Sequence, residues 1–374
     1  VASTCVGVDI GSSAIKAVVL DVGRRGTRLV NFGIEYLPPQ AIVDGALMDR
    51  AAVVEALERL KSALAIGNRP VATAIAGHSV IVKKIQMAPM SRDALSERIP
   101  GEAEQHIPFK RDEVDIDYQV VTPKDDGRND DRTGNKSGGK TGNKNAGGPM
   151  EVILVAAKKE MIADYAQVLR DAKLQPVVMD VAAFSVQNAF EAAYADVNLP
   201  GAVALVHLGS AITHVNVVSG GVSVFVRDVT VGGAAFTEEL QRRLHVSYDE
   251  AEQLKVAATD PEAVRPPPAG FEAIMQEVAD STATKVQRSL DFFLASSPDL
   301  KLARVLLSGG TSKVAALAHE FEQRAKVPVE AMDPFRRVTV DEAKLDPAFV
   351  SKHAGEAAVA VGLALRRPGD GGDA

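Results

Sequence analysis

Asp9, Gly11, Ser12, Ser13 and Lys16 lie together in the stretch "DIGSSAIK", between two apolar runs. These residue types suit a phosphate group. Gly11 lets the chain turn tightly, Ser12 and Ser13 offer hydroxyls and backbone N–H groups, Lys16 adds a charge-assisted contact, and Asp9 can face a hydrated divalent cation. An ordinary hairpin with a polar tip would carry the same letters, so this stretch alone leaves both readings open. Three other stretches favour the first. "HLGSAITH" ends an apolar run in Gly209 and Ser210, and "VGG" supplies Gly232 and Gly233, where backbone can approach closely. "LLSGGTSKV" sets Gly309, Gly310 and Thr311 between a strand and a helix start, where an adenosine can lie flat against the backbone.

A fifth stretch, "GNKSGGKT" at Gly134 to Thr141, fits the P-loop formula G-x-x-x-x-G-K-[ST] letter for letter. That formula works only when a buried strand delivers the glycines and a helix starts at the Lys-Ser/Thr pair. The flanks here, "PKDDGRNDDRT" and "GNKNAGGP", are polar and rich in Gly and Asn, so residues 123–149 read as a disordered surface loop and the match as an accident of low complexity.

The elements that must position the glycine turns follow from periodicity. "CVGVDI", "AIKAVVL" and "TRLVNFGIEYL" read as three consecutive strands, then a helix at Arg50 to Ala65 and a strand "PVATAIAG". A helix around Ser91 to His106, the strands "VDIDYQVV" and "EVILVAA" and a helix from Lys158 to Ala172 make a small inserted α+β unit. Pro100 and Gly101 should break the first of those helices. The second half repeats the plan: "GAVALVHLG", "ITHVNVVSGG" and "VSVFVRDV" are strands, Ala235 to Leu244 and Phe271 to Leu294 helices, "KLARVLLSGG" a strand and Gly355 to Leu365 a last helix. "GSSAIK" from Gly11 and "GSAITH" from Gly209 form a weak internal repeat, which suggests duplicated domains facing one cleft. The class is α/β with mixed sheets packed by helices.

At 374 residues, 46% hydrophobic and 24% charged, the chain can bury a large core in two or more units. A net charge of -7 removes the electrostatic drive for nucleic-acid binding, so no nucleic-acid partner is expected. The single cysteine, Cys5, excludes a disulfide framework and suits a reducing cytoplasm, where it reads as inert core. No run of residues approaches a membrane span and no signal pattern opens the sequence, so no direct membrane insertion is expected, only docking on something membrane-bound.

The order of Asp9-x-Gly11, His207-x-Gly209, Gly309-Gly310-Thr311 and the terminal "AAVAVGLAL" resembles the phosphate, phosphate, adenosine and connecting motifs of the actin, heat-shock chaperone and sugar-kinase superfamily. Within it, "GVDIGSSAIKAVVL", "GEAEQHIPFKRDEVDIDYQVV", "EVILVAAKKEMIADYAQVLRDAKLQPVVMDV", "VGGAAFTEELQRRL" and "VLLSGGTSKVAALA" resemble the PilM family of type IV pilus assembly. The resemblance covers nearly the whole chain except the loop at 123–149. It implies an actin-like fold: two ribonuclease-H-like domains flanking an ATP cleft, the first at 1–79 and 178–199 with an FtsA-like inserted subdomain at 80–177, the second at 200–233 and 301–374 with its own subdomain at 234–300. Carried over, Asp9 would face Mg through water, Ser12, Ser13 and Lys16 would hold phosphate, and Gly209 and Ser210 would form the opposite phosphate loop beside Gly232 and Gly233. Gly309, Gly310 and Thr311 would meet the adenosine, and Glu238 and Lys255 would reach ribose or base.

The resemblance also implies a partner, the N-terminal cytoplasmic tail of a PilN-type inner-membrane protein, bound in a groove between the first domain and its insert. "VIVKKIQM" and "VDIDYQVV" would be its walls. Pilus motor ATPases and platform proteins are further candidate partners, and the implied location is cytoplasmic, peripheral on the inner membrane. One departure matters. The superfamily usually has Asp where this chain has His207, and neutral imidazole brings no negative charge to a cation's water shell, so ATP hydrolysis is expected to be slow or absent. His214 would either position water or be a polar strand residue facing cleft or solvent, and no catalytic residue is identified. A sugar-type kinase using the same cleft and an FtsA-like filament-forming division protein are the alternatives.

Overall fold

In the computed structural model, which describes residues 4–121, 149–197, 200–259 and 266–370, the chain begins with an antiparallel meander. Its strands are β1 (Val6–Ile10), β2 (Ala14–Gly23) and β3 (Gly26–Tyr36), followed by a short ribbon of β4 (Ile42–Val43) and β5 (Ala46–Leu47). Helix α1 (Arg50–Ala63) starts where the Asp49 carboxylate accepts the Ala52 amide, and buries Val53, Ala56, Leu57 and Leu60, one stripe at helical spacing. β6 (Pro70–Ile75) then runs parallel to β1.

The inserted unit comprises β7 (Val80–Met87), α2 (Arg92–His106), β8 (Val114–Val120) and β9 (Met150–Lys158), with strand order β7-β9-β8. β8 and β9 are antiparallel neighbours and Val121 still donates its N–H to the Glu151 carbonyl at 2.9 Å, so residues 122–148, which lie outside the described residues, connect the two arms of a hairpin. A P-loop needs a helix after its glycines, and here the next described element is strand β9. The expected break at Pro100 does not occur: α2 is one helix with Pro100 inside it. Its Leu95, Ile99 and Ala103, four apart, share a core with Ile85, Val114, Val152 and Leu154, and this packing outweighs the lost amide and the ring clash. Gly101 is exposed in mid-helix and a Cβ there would meet nothing within 4 Å. Gly101→Ala is therefore expected to stabilise the chain by about 0.5–1 kcal/mol, read as a higher thermal midpoint.

Next come α3 (Lys159–Asp171), β10 (Gln175–Val181) and α4 (Ala182–Ala193). The second half repeats the opening: a meander of β11 (Ala202–Leu208), β12 (Thr213–Ser219) and β13 (Val222–Val229), then α5 (Gly233–Leu244), α6 (Tyr248–Ala257), α7 (Phe271–Ser296), β14 (Leu302–Ser308), α8 (Ala315–Ala325) and β15 (Val329–Ala331). The chain returns through β16 (Val338–Val340), α9 (Pro347–His353) and α10 (Ala358–Ala364).

Two mixed sheets result, β10-β6-β1-β2-β3-β16 and β13-β12-β11-β14-β15. Five strands of the first match the second in order and direction: β1, β2 and β3 correspond to β11, β12 and β13, while β6 and β14 each run parallel to the first strand of their meander. The short repeat "GSSAIK"/"GSAITH" thus marks a duplicated architecture. Strand alternation sends Val6, Val8, Ile15 and Ala17 into a core with α1 and α3, and Ala204, Val206, Val215 and Val217 into one with α5 and α7. The opposite faces, Val18 and Leu20 from one sheet and Val203 and Leu205 from the other, share a third core with α4 and α10, which lie between the sheets.

Element placement shifts the expected boundaries. α3 packs on α1 and β10 pairs with β6, so residues 159–177 lie with the first sheet instead of the insert. β16 pairs with β3, and α10 packs on β1 and α4, so the C-terminal stretch crosses back to the first sheet. The physical reason is apolar: α10 buries every residue, Ala358 to Ala364, and needs both sheets to do so.

Candidate functional site

Because Val8 and Ile10 point into the α1 core, Asp9 points the other way, toward the space between the sheets, and the same parity turns Lys16, His207 and His214 there. The two hairpins are alike in detail. Asp9 sits across from Lys16 and His207 across from His214; the Gly11 amide donates to the Ala14 carbonyl at 3.2 Å and the Gly209 amide to Ile212 at 3.0 Å. Lys16 Nζ lies 3.5 Å from Asp9 Oδ2. At the half-buried tips, the amides of Ser12, Ser13, Ser210 and Ala211 donate to no backbone or side-chain acceptor among the described residues. The tips face one space: the Lys16 charge acts on His207, the Asp9 charge acts on His214, and a Cβ on Gly77, just past β6, would lie 3.1 Å from Ile212 Cδ1.

The other glycines build the floor. Gly233 and Ala234 donate their amides to the Gly209 and Ser210 carbonyls at 3.0 and 2.9 Å, and the Thr311 hydroxyl donates to Gly209 at 2.8 Å. A Cβ on Gly232 would fall 2.3 Å from the Gly209 oxygen, so only glycine permits this approach. Gly309, at φ +88°, leads the chain past Leu208, and its amide donates to Gly355 at 2.8 Å. Lys255 reaches Gly233 O at 3.2 Å, Thr237 Oγ1 at 2.8 Å and Glu252 Oε2 at 2.6 Å; burial lowers its pKa against the pull of Glu252. Glu238 is exposed on α5. Beside Gly310 stands Glu356, bonded to Lys313 and, at 3.0 Å, to His353. Burial would raise its pKa, but those two partners hold it down to about 2.

At the β10 edge of the first sheet, a groove of about 1470 Å³ lies between β8 of the insert and β10 and α4. Both strands are sheet edges. Gly221, in the turn between β12 and β13, and Val222 and Ser223 at the start of β13 also line it. β8, from "VDIDYQVV", lines this groove, while "VIVKKIQM" is β7, on the far edge of the small sheet, with β9 between it and the groove.

The family model for type IV pilus assembly protein PilM matches residues 7–133 and 140–368. The chain belongs to the PilM family. Against solved structures it superposes with a TM-score of 0.81 and 26% identity on a chain of a PilM–PilN type IV pilus biogenesis complex, covering 98% of each chain. The ethanolamine utilization protein EutJ from Carboxydothermus hydrogenoformans matches at a TM-score of 0.54 and 16% identity over 96% of this chain and 89% of that one, which shows the shared actin-like fold alone. The break in the family match, residues 134–139, covers six of the eight positions of the P-loop-like stretch.

Where many relatives of this fold were expected to carry Asp, this PilM-family chain has His207, 6% exposed, its Nδ1 hydrogen-bonded at 3.0 Å to the Ser308 hydroxyl. Burial first, then the charges of His214 and Lys16, push its pKa well below the usual value, so the ring is neutral. His214 stacks on it at 5.8 Å and is bonded through Nδ1 to Asp228 at 2.6 Å. It is a buried member of an ion pair and does not face solvent. Asp228 Oδ2 also accepts the Gly77 amide at 2.7 Å, so one carboxylate ties the second sheet to the loop after β6. Sequence reasoning missed Asp228, Glu252 and Glu356; His214 lies 14 positions from Asp228 and Lys313 43 from Glu356, whereas Lys255, three positions from Glu252, and His353, three from Glu356, were local signals. Among the described residues no group of three or more His, Cys, Asp or Glu side chains could hold a metal ion.

The His214–Asp228 pair sets a pH dependence. Burial would lower the His214 pKa, but Asp228 outweighs it and the net shift is upward; Asp228 is shifted downward by His214 and Gly77 against burial. A raised folded-state histidine pKa contributes stability that is full below about 6.5 and lost as pH rises through the folded value. The thermal midpoint should therefore fall as pH rises above about 6.5 and through the raised folded-state value in the wild type, and this slope should flatten in Asp228→Asn.

Proposed function

We propose that the chain is an ATP-binding, actin-like adaptor of type IV pilus assembly that holds the N-terminal tail of a PilN-type membrane protein in the groove between β8 and β10. The observation that carries the reading is the groove itself: two strand edges that no other strand among the described residues pairs with line it, in a PilM-family chain whose fold matches a chain of a PilM–PilN complex along its length. Neither the kinase nor the filament alternative gains support from these matches. On this reading the first domain is the six-stranded sheet with its helices, the insert runs from β7 to β9, and the second domain is the five-stranded sheet with α5 to α8. No helix among the described residues is long and apolar enough to cross a membrane, so contact with the inner membrane would run through the partner.

The residues present fit a nucleotide. Unspent amides at Ser12, Ser13, Ser210 and Ala211, with Lys16 between the tips, make a cradle for phosphate oxygens. Gly309, Gly310 and Thr311 offer the flat backbone for adenosine, with Lys255 at its rim and Glu238 farther out on α5. Asp9 supplies a carboxylate at the first tip, enough for a cation held mainly by phosphates and water. Such a cation would neutralise phosphate charge. Neutral His207, engaged with Ser308, adds no charge to its water shell, which supports binding with slow or no hydrolysis.

ATP occupancy, rather than turnover, would stabilise the arrangement that forms the groove, because β12 and β13 run from the second hairpin tip to the turn at Gly221–Ser223 in the groove wall. The test is calorimetric titration of a PilN-type tail peptide into the full chain, with and without Mg-ATP. One-to-one binding, tighter with Mg-ATP, is the expected result. No binding in either state would remove the adaptor reading; unchanged peptide affinity in Asp9→Ala that no longer binds ATP would remove the coupling.

A further inference from the structure

The groove is not neutral. Asp115, Asp117, Asp180, Glu191 and Asp370 line it against Arg92 and Arg366, five acids to two bases. An acidic lining alone selects nothing, but one of these carboxylates is unusual. Asp180, on edge strand β10, has a side chain only 9% exposed, and its Oδ1 accepts the Val181 amide at 2.8 Å. Its Oδ2 is buried in the groove wall without a hydrogen-bond donor, facing Arg366 Nη1 at 3.4 Å. Arg366 is shared: its Nε lies 3.7 Å from Asp370 and is itself buried with no acceptor. Burial pushes the Asp180 pKa up despite Arg366, as expected for a carboxylate that is desolvated and incompletely partnered.

The surroundings of Asp180 are laid out for an extended chain. Across the groove, Asp117 on β8 holds the Tyr118 amide at 2.7 Å with Oδ1, and its charge reaches Asp180. Asn188 Nδ2, on α4 in the same wall, is buried with no acceptor, a donor for a main-chain carbonyl. Val177, 46% exposed, offers apolar surface beside the charges. Edge strands accept an added strand through their free backbone groups, and alternate side chains then enter pockets.

We infer that the groove takes an extended polypeptide segment of net positive charge and seats one arginine of it against Asp180 and Asp117. This rests on the adaptor reading and adds the charge of the partner segment and the residues that read it. A guanidinium fork supplies parallel donors to a buried carboxylate oxygen and its neighbour, where a neutral side chain would leave Asp180 Oδ2 desolvated with no hydrogen-bond donor and only the Arg366 charge at 3.4 Å.

The test titrates two peptides into the full chain: the PilN-type tail from the same organism, and that tail with every Lys and Arg replaced by Gln. Each is measured against wild type, Asp180→Asn and Asp117→Asn at low and high salt. The neutral peptide should bind wild type at least about tenfold more weakly, and Asp180→Asn should lose about tenfold for the native tail together with much of its salt dependence. Asp180→Asn keeps the acceptor for the Val181 amide, and exposed Asp117→Asn, expected to lose about threefold, gives an answer if the first variant folds poorly. Equal binding of both peptides, within about twofold, with variants unaffected, would overturn the inference and leave the adaptor reading standing. No binding of either tail to wild type would overturn both.

Discussion

Gly232→Ala is expected to lower ATP affinity by roughly 100-fold, measured by calorimetry or displacement of a fluorescent analogue. Gly232 has an extended backbone that any residue can adopt, so the effect is one of space. An added Cβ would lie 2.3 Å from the Gly209 oxygen and 2.5 Å from the Ser210 oxygen. Those two carbonyls accept the Gly233 and Ala234 amides, so the methyl must push the second hairpin tip away from the floor that fixes it. The tip carries the unspent Ser210 and Ala211 amides, and losing one or two charge-assisted contacts to phosphate at about 1.5–3 kcal/mol each gives that factor. Gly101→Ala, distant and unobstructed, is the control. Unchanged ATP affinity in a folded Gly232→Ala chain would show that the second tip does not hold the phosphates.

Gly362→Val is expected to cost more than about 4 kcal/mol, seen as loss of soluble folded protein or collapse of the urea midpoint. A Cβ at Gly362 would sit 1.7 Å from the Ser185 carbonyl oxygen of α4, and one at Gly7 2.0 Å from the Ala360 oxygen of α10. Helix α10 is thus pressed against β1 on one side and α4 on the other at backbone contact distance. No rotamer relieves a Cβ clash with backbone, and β1 on the other side leaves α10 no room to move away. The helix would have to leave the core that it shares with both sheets, and with it the spacing between the two hairpin tips. A Gly362→Val chain with a wild-type midpoint would mean that α10 does not bridge the sheets.

The groove and the cleft draw on the same two strands. The His214–Asp228 pair lies near one end of β12 and β13; near the other, Asn216 and Ser223 share Gln187 of α4, with Asn216 Nδ2 at 3.2 Å and Ser223 Oγ at 2.5 Å from its Oε1. On the proposed reading, a displacement at the phosphate end would be carried into the groove wall by these hydrogen-bonded strands.

Local signals by themselves determined much of this protein: period-two apolar runs ended by glycine marked both hairpins, a short repeat marked the duplication, and polar flanks ruled against the P-loop formula. What only the tertiary structure decided are relations between residues with no sequence register to one another. Pro100 sits inside a continuous helix because a stripe of Leu95, Ile99 and Ala103 found a sheet to cover. β10 became a groove wall and α10 a bridge because each buries apolar surface against elements distant in the chain. Asp228 tied Gly77 to His214, and Asp180 was left short of a partner, through burial. Propensity and spacing act over a few residues; desolvation and packing act over whatever the fold brings near, and the partners they choose are set by the assembled core.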